Sequence, residues 1–172
     1  MSENPIETYQ NRFEVGTYGK DNRGIFRVHQ FNKVEQVVLC RETEALKMFN
    51  FILGISESIV RALELPYRII EIATKDMGAK NYRQQDIEVW FPSQNKYRET
   101  HSCSYLTDFQ SRRANIKYRD DNGNKHYVHT LNNTAVATPR ILAACLENWQ
   151  QKDGSIKIPK ALHKYTGFTE IR

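Results

Sequence analysis

The chain has 172 residues, of which 40% are hydrophobic and 26% are charged, and these proportions are ordinary for one soluble globular domain. Its formal net charge of +5 fits a polyanionic partner such as a nucleotide or RNA, as it does for many unrelated basic proteins. The sequence has no apolar run near the roughly 20 residues that span a bilayer, and its start lacks the basic and apolar segments of a secretory signal.

The first third of the chain is predicted to form two strands followed by a long helix. Residues 12–16 and 25–40 have strand character on both sides of a polar loop with several glycines. Residues 42–64 are predicted as a helix because apolar residues recur every three or four positions and Pro66 follows. Residues 1–11 are expected to be a frayed lead-in.

The rest of the chain is predicted to be mostly strands, with one further helix. Strands are expected over 67–72, 87–91 and 97–104, and over 116–119 and 125–131 on both sides of an Asn-Gly turn. Residues 135–149 are predicted as a helix that Asn132, Asn133 or Thr134 caps. This order of elements favours an α+β fold built on an antiparallel β-sheet flanked by helices.

The cysteines indicate a reduced protein without a disulfide framework. Cys40, Cys103 and Cys145 are odd in number and widely spaced. The segment His101-Ser102-Cys103 has no second Cys/His pair at the spacing of a zinc site, so structural zinc is not expected. The expected location is therefore the cytoplasm.

Cations and an aromatic ring are concentrated at the first predicted hairpin. Arg12 and Glu14 precede its loop, and Arg27, Phe31 and Glu35 follow it. Cations can bind phosphates, and an exposed flat ring can stack on a base. Any one of these residues could simply belong to a solvated hairpin face, but together they indicate a nucleotide site.

Two further positions carry candidate chemistry. Glu99 and Ser102 are three residues apart, which places them on opposite faces of a regular strand, so only a bulge or bend could direct both at one cation. Their spacing alone favours ordinary polar edge positions. Arg140 follows Pro139 near the start of the last predicted helix, where the dipole disfavours a cation unless an anion is bound.

These segments together resemble the seryl-tRNA synthetases, which are class II aminoacyl-tRNA synthetases. The segment around Arg12–Glu35 is similar to motif 2, and residues 129–150 are similar to motif 3. The resemblance runs in order from about Arg12 to Leu162 and implies a single partial class II catalytic domain over residues 1–172. Motif 2 would occupy about 9–40, motif 3 about 127–150, and a C-terminal tail 151–172.

The resemblance implies an ATP site and assigns a role to each matched residue. In this family, serine and ATP form seryl-adenylate, and the seryl group then passes to tRNA(Ser). Arg12 would contact the α-phosphate, Arg27 the terminal phosphate and Glu14 the adenine amino group. Phe31 would stack under adenine, and Arg140 would cover its other face.

The same resemblance implies a metal site and a serine pocket. Glu99 and Ser102 would hold a divalent ion, Mg²⁺, which takes oxygen ligands. Glu35, Asn132 and Thr134 would line the pocket for serine. The catalytic assignments implied in this way are Arg12, Arg27 and Arg140.

The chain also departs from the family pattern. The family's tRNA-binding helical hairpin, its motif 1, which forms the dimer, and its upstream Thr-x-Glu segment have no counterpart here. Tyr105 and Leu106 stand where Asn-Cys is usual, and Asn133 and Pro139 stand where glycines are common. We therefore expect the C-terminal portion of a catalytic domain, as a fragment, a truncated product or a paralogue.

The expected partners are ATP and serine, with tRNA(Ser) and a second copy in a homodimer for the complete protein, and no membrane. Two alternatives remain open from the sequence. The chain could be a catalytically incomplete paralogue that acts as a nucleotide-binding or partner module, or an enzyme that charges a carrier protein instead of tRNA. The expected lack of the tRNA-binding hairpin is compatible with the charging of a carrier protein.

Overall fold

The computed structural model describes residues 6–13 and 24–172. The strands are β1 (Ile6–Phe13), β2 (Gln30–Cys40), β3 (Tyr67–Glu71), β4 (Arg83–Phe91), β5 (Lys96–Tyr105), β6 (Lys117–Arg119), β7 (Lys125–Tyr127), β8 (His129–Ala137), β9 (Ile156–Lys157) and β10 (Glu170–Ile171). The helices are α1 (Ala45–Ala62), α2 (Phe109–Ala114), α3 (Thr138–Trp149) and α4 (His163–Thr166), with 3₁₀ turns at Glu42–Glu44, Pro92–Gln94 and Lys160–Leu162.

Six of these strands form one antiparallel sheet in the order β1-β2-β8-β5-β4-β3. The expected α+β fold with an antiparallel sheet and flanking helices is confirmed. β6 and β7 form a separate hairpin, and β9 and β10 form a short ribbon in the C-terminal tail. None of the helices in the described ranges has the length and apolar character that crossing a membrane requires.

Helices α1 and α3 pack against one face of the sheet and form the core with it. Phe49 and Ile52 of α1 are fully buried there with Ile87 of β4 and Leu131 of β8, and each such side chain contributes roughly 1.5–3 kcal/mol on burial. We call the opposite face the site face. It is defined by Phe31, Lys33 and Glu35 of β2, Asn132 and Thr134 of β8, Glu99 and Ser102 of β5, and Asp86 of β4.

Asn132, Asn133 and Thr134 lie inside β8, so their predicted role as helix caps is wrong. α3 begins at Thr138 and not at residue 135, with Ala137 at the N-cap position. β8 lies between β2 and β5, and both neighbours supply ladder partners to Asn132 and Asn133. These pairings outweigh the local preference of asparagine for a cap.

The predicted lead-in over residues 1–11 is also wrong where the structure describes it. β1 begins at Ile6, because its residues pair with β2 from Val37 to Gln30. The predicted helix over 42–64 is confirmed in its central part as α1, and the Asn-Gly hairpin is confirmed as β6 and β7.

The turn of the β6–β7 hairpin is organised by the Asp120 carboxylate. This group accepts hydrogen bonds from the backbone N–H groups of Asn122 and Asn124 at 3.0 and 2.8 Å, and from His126 Nε2 at 2.9 Å. Gly123 supplies the positive φ of +85° that the turn requires. The donors lower the pKa of Asp120 to about 2, with His126 as the largest cause.

We expect the amide signals of residues 117–127 to shift with a midpoint near pH 2 in an NMR titration. The pKa of Asp120 is lower in the folded hairpin than the ordinary value of about 3.8. The carboxylate therefore stabilises the hairpin above pH 3.8, and this stabilisation is lost as the pH falls toward 2. Asp120→Asn should abolish the transition, and a wild-type midpoint near 3.8 would contradict the expectation.

Candidate active site

A bulge in β5 brings Glu99 and Ser102 onto the same face of the sheet. Glu99 and His101 pair with adjacent residues of β4, so Thr100 is an extra residue between them. Cys103 Sγ lies 3.9 Å from the carbonyl oxygen of Phe49 in α1, so Cys103 faces the helices and its neighbour Ser102 faces away. The extra residue turns Glu99 to the site face as well. The β5 bulge is therefore the distortion that Glu99 and Ser102 need in order to face one cation together.

A second bulge lies in β8, directly across the sheet. Thr134 and Val136 pair with adjacent residues of β2, so Ala135 is the extra residue. The bulge leaves Thr134 and Ala137 both directed at the site face, where each lines the same cavity. Glu35 of β2 lies opposite Thr134 in the ladder.

A cavity of about 130 Å³ lies on the site face beside the two bulges, and residues of β1, β2, β5, β8 and α3 line it. The backbone pairing of β5 with β8 ends at Cys103–Asn133, which is the ladder pair nearest the cavity. Among the described residues, its charged lining residues are the cations Arg12, Arg27, Lys33 and Arg140 and the carboxylate of Glu99. This excess of positive charge in a concave site favours a polyanionic ligand.

Arg12 and Phe31 form one side of the cavity. They are directly opposite each other in the β1–β2 ladder, so their side chains share a face. The Arg12 guanidinium carbon lies 6.0 Å from the centre of the Phe31 ring. Glu14, the third residue expected here, lies outside the described residues.

Arg140 forms the other side and is held by three contacts. It lies in the first turn of α3, as expected, and its Nη1 donates a hydrogen bond of 2.8 Å to the Glu99 carbonyl oxygen. The same Nη1 lies 3.7 Å from the Glu99 carboxylate. The guanidinium also lies over the ring of Phe26 at 4.8 Å, and Phe26 packs edge-on against Phe91. Arg140 and Phe31 line one cavity, and an adenine between them stays a prediction.

Three ionisable side chains near the cavity have shifted pKa values. Partial desolvation raises the pKa of Glu99, and Arg140 opposes that shift. Burial also raises the pKa of Asp86, while hydrogen bonds from Gln84 and Ser102 act in the opposite direction. Burial lowers the pKa of His101 to about 4, so its imidazole is neutral at pH 7. Carboxylates with raised pKa values are common at binding sites.

The side chains of Glu99 and Ser102 are of the kind that could hold a magnesium ion together with substrate phosphates. In the described ranges, no group of three or more His, Cys, Asp or Glu side chains is arranged to hold a metal. Mg²⁺ usually needs only one or two protein carboxylates when substrate phosphates complete its shell. Glu99 offers a carboxylate on the site face, and the Ser102 hydroxyl accepts a hydrogen bond of 3.0 Å from Gln84 Nε2. The donor set is thus of the type that Mg²⁺ prefers.

The three residues expected for serine lie together on the site face. Thr134 lines the cavity, and Glu35 lies opposite Thr134 in the ladder. Glu35 is buried and forms an ion pair of 2.6 Å with Lys33. Asn132 is two residues from Thr134 and therefore on the same face.

Sequence reasoning missed Phe26 and Arg98. Both line a neighbouring recess of about 220 Å³, which shares Phe26, Arg27, Glu99 and Arg140 with the cavity. The Arg98 guanidinium lies 4.1 Å from the centre of the Phe26 ring. The proximity of Phe26 to Arg27 in the sequence was the only signal available for it, and Arg98 gave none.

Comparison with known proteins identifies the family and the fold. The family model described as the tRNA synthetase class II core domain (G, H, P, S and T) matches residues 9–149. The chain is 54% identical over 162 residues to the serine–tRNA ligase of Deinococcus radiodurans, covering 93% of this chain and 38% of that protein. It is 52% identical over 161 residues to the Pyrococcus furiosus serine–tRNA ligase, covering 93% and 35%.

Solved structures give the same result. The seryl-tRNA synthetase from Pyrococcus horikoshii complexed with ATP matches with a TM-score of 0.90 and 49% identity, over 96% of this chain and 37% of that chain. The cytoplasmic serine–tRNA ligase from Naegleria fowleri in complex with AMP matches with a TM-score of 0.89 and 38% identity, over 99% and 41%. The resemblance predicted from the motifs is confirmed, and the chain spans less than half the length of these relatives.

Proposed function

The chain belongs to the tRNA synthetase class II core family, and we propose that it carries the serine-activating site of a serine–tRNA ligase. The observation that carries this proposal is the cationic cavity between Arg12 and Phe31 on one side and Arg140 on the other. Relatives with the same fold are bound to ATP and AMP. In this chain, motif 2 would occupy about 9–40, motif 3 about 127–150, and the tail 151–172.

In the proposed reaction, ATP binds with its adenine between Phe31 and Arg140. A planar cation and an aromatic ring on the two faces of a purine can each contribute about 1–2 kcal/mol. Arg12 then lies at the α-phosphate, and Arg27 lies at the terminal phosphate. Glu14 is proposed to contact the adenine amino group.

The chemical step needs no nucleophile from the protein. A carboxylate oxygen of serine attacks the α-phosphorus, the bond from phosphorus to the bridging oxygen breaks, and pyrophosphate leaves with the electron pair. Arg12 stabilises the charge that develops on the α-phosphate oxygens, so catalysis is positioning and electrostatic stabilisation. Glu99 and Ser102 would hold Mg²⁺, which supplies additional positive charge to the phosphates when bound.

Selection of serine is assigned to Glu35, Asn132 and Thr134. All three are polar side chains on the site face, and Thr134 lines the cavity. Alanine has the shape of serine without its hydroxyl, so its binding would leave buried polar groups unpaired. The cost of these unpaired groups can favour serine over alanine by orders of magnitude.

The remaining assignments concern the complete protein. We propose that the seryl group passes to tRNA(Ser), that two copies form a homodimer, and that the protein acts in the cytoplasm. The names of the relatives, serine–tRNA ligase and seryl-tRNA synthetase, support the tRNA assignment.

Serine-dependent exchange of pyrophosphate into ATP tests this function. We expect the wild-type chain to bind ATP in calorimetry and to catalyse exchange with serine but not with alanine. Phe31→Leu should raise the Kd for ATP about tenfold, because leucine fills the space without offering a stacking face. ATP binding without exchange would favour a nucleotide-binding module, and absence of ATP binding would overturn the proposal. Supplying tRNA and a carrier protein separately would identify the acceptor.

A further inference from the structure

His101 is a fully buried side chain to which the proposed reaction gives no role. It is 1% exposed and lies on the helix-facing side of β5, two residues from Cys103. Its Nε2 lies 3.1 Å from the carbonyl oxygen of Ala135, and its Nδ1 lies 2.8 Å from Thr100 Oγ1. A carbonyl can only accept, so Nε2 carries the proton and donates to Ala135.

The two partners of the imidazole are the extra residues of the two bulges. Thr100 is the inserted residue of β5, and Ala135 is the inserted residue of β8. The backbone ladder between these strands extends to Cys103–Asn133. Continuing the same register by two residues would place His101 opposite Ala135. At that position, a hydrogen bond from the His101 side chain to the Ala135 carbonyl oxygen links β5 to β8, whereas backbone hydrogen bonds link the two strands elsewhere in the ladder.

We propose that His101 is a positioning residue that holds the two bulges together and thereby sets the distance between β5 and β8 where both strands border the cavity. The residues immediately beyond the bulges are Glu99 and Thr134, and both line the cavity. This role of His101 rests on the proposed function, because the binding measurement that tests it uses ATP as the ligand.

The bulge in β5 also determines where Arg140 is held. The carbonyl group that accepts the 2.8 Å hydrogen bond from Arg140 belongs to Glu99, the residue next to the bulge. Movement of Thr100 would therefore displace the Glu99 carbonyl and with it the guanidinium. His101 acts on the ligand through Thr100, Glu99 and Arg140 without touching it.

Two substitutions of equal length separate the hydrogen bond from the packing. His101→Gln keeps an N–H donor at about the position of Nε2, whereas His101→Met is an unbranched chain without a donor. We expect His101→Gln to bind ATP within about threefold of wild type and His101→Met to bind about tenfold more weakly. Each Kd is measured by calorimetry well below the unfolding temperature of the variant.

His129→Phe is the matched control. His129 Nδ1 lies 2.6 Å from the hydroxyl of Tyr105, so it also bridges β8 and β5, but at the other end of the pair. This variant should lose stability and keep its Kd for ATP within about twofold. If His101→Met lowers the unfolding temperature as His129→Phe does and leaves the Kd unchanged, the role is merely structural and the proposal is wrong.

A second measurement does not depend on ATP. The ¹³C chemical shift of the Ala135 carbonyl reports its hydrogen bond, and we expect it to be retained in His101→Gln and displaced in His101→Met. If the wild-type chain does not bind ATP, the proposed function is wrong. The chemical shift of the Ala135 carbonyl would still decide whether His101 holds the two bulges together. If His101→Met does not fold, Thr100→Val removes the other bond to the ring, and an unchanged Ala135 shift together with an unchanged cavity in its crystal structure would overturn the proposal.

Discussion

Replacing Arg140 by alanine is expected to raise the Kd for ATP about 100-fold. The guanidinium is held in place by the Glu99 carbonyl at 2.8 Å and by the ring of Phe26 at 4.8 Å, so little entropy is lost when it covers a base. A desolvated cation–π contact contributes about 2 kcal/mol, and loss of one positive charge from the cavity that binds the polyanion adds about 1 kcal/mol. Calorimetric titration with ATP measures the change.

Two variants sharpen this test of Arg140. Arg140→Lys keeps the charge and loses the planar group, so we expect it to recover only part of the affinity. Arg113→Ala is the matched control, because Arg113 also lies over a phenylalanine ring, that of Phe109 at 3.6 Å, and donates to a carbonyl oxygen, but on α2 outside the cavity. Equal Kd values for Arg140→Ala and Arg113→Ala would contradict the assignment of Arg140 to the nucleotide.

The part of the site that β1 and β2 form could be predicted from the sequence, because these two strands follow each other along the chain. Arg12 and Phe31 belong to two strands joined by one loop, and in an antiparallel ladder such residues meet directly. The strand periodicity that predicts β2 therefore also predicts which side chains share its face. The roles of these residues still rest on the family resemblance and not on the periodicity.

The bulges in β5 and β8 could not be predicted from the sequence. Thr100 and Ala135 are extra residues only relative to their partner strands, and the register of a strand is set by long-range packing. Local spacing placed Glu99 and Ser102 on opposite faces for this reason. The same limitation produced the wrong assignment of Asn132–Thr134 as caps, because nothing in the segment itself shows that it lies between two other strands.

The side chain of Asn133 attaches β8 to helix α1. Its Nδ2 donates to the carbonyl oxygen of Ile52 at 2.6 Å and to Ser56 Oγ at 2.8 Å, both in α1. Gln36 of β2 donates to the same two acceptors at 3.2 and 3.1 Å. Ser56 in turn donates to the carbonyl oxygen of Thr134 at 2.7 Å. This buried network attaches α1 to the strand that carries the proposed serine pocket.

Asn133→Asp is therefore expected to lower the free energy of unfolding by about 3–5 kcal/mol at pH 7. The substitution replaces the donor by a carboxylate oxygen that faces the Ile52 carbonyl in a fully buried position. Urea unfolding measures the loss, and Asn50→Asp, on the exposed side of α1, should change stability by no more than about 0.5 kcal/mol.

The pH dependence of Asn133→Asp distinguishes a buried charge from a simple packing defect. Burial should raise the pKa of the new carboxyl above the unfolded value of about 3.9. The folded state then binds the proton more tightly, so the stability deficit relative to wild type should shrink as the pH falls from 7 toward 4. Protonated aspartic acid can also donate to Ile52 again. A deficit that stays constant over this range would mean that the cost comes from packing, and the donor role assigned to Asn133 would be wrong.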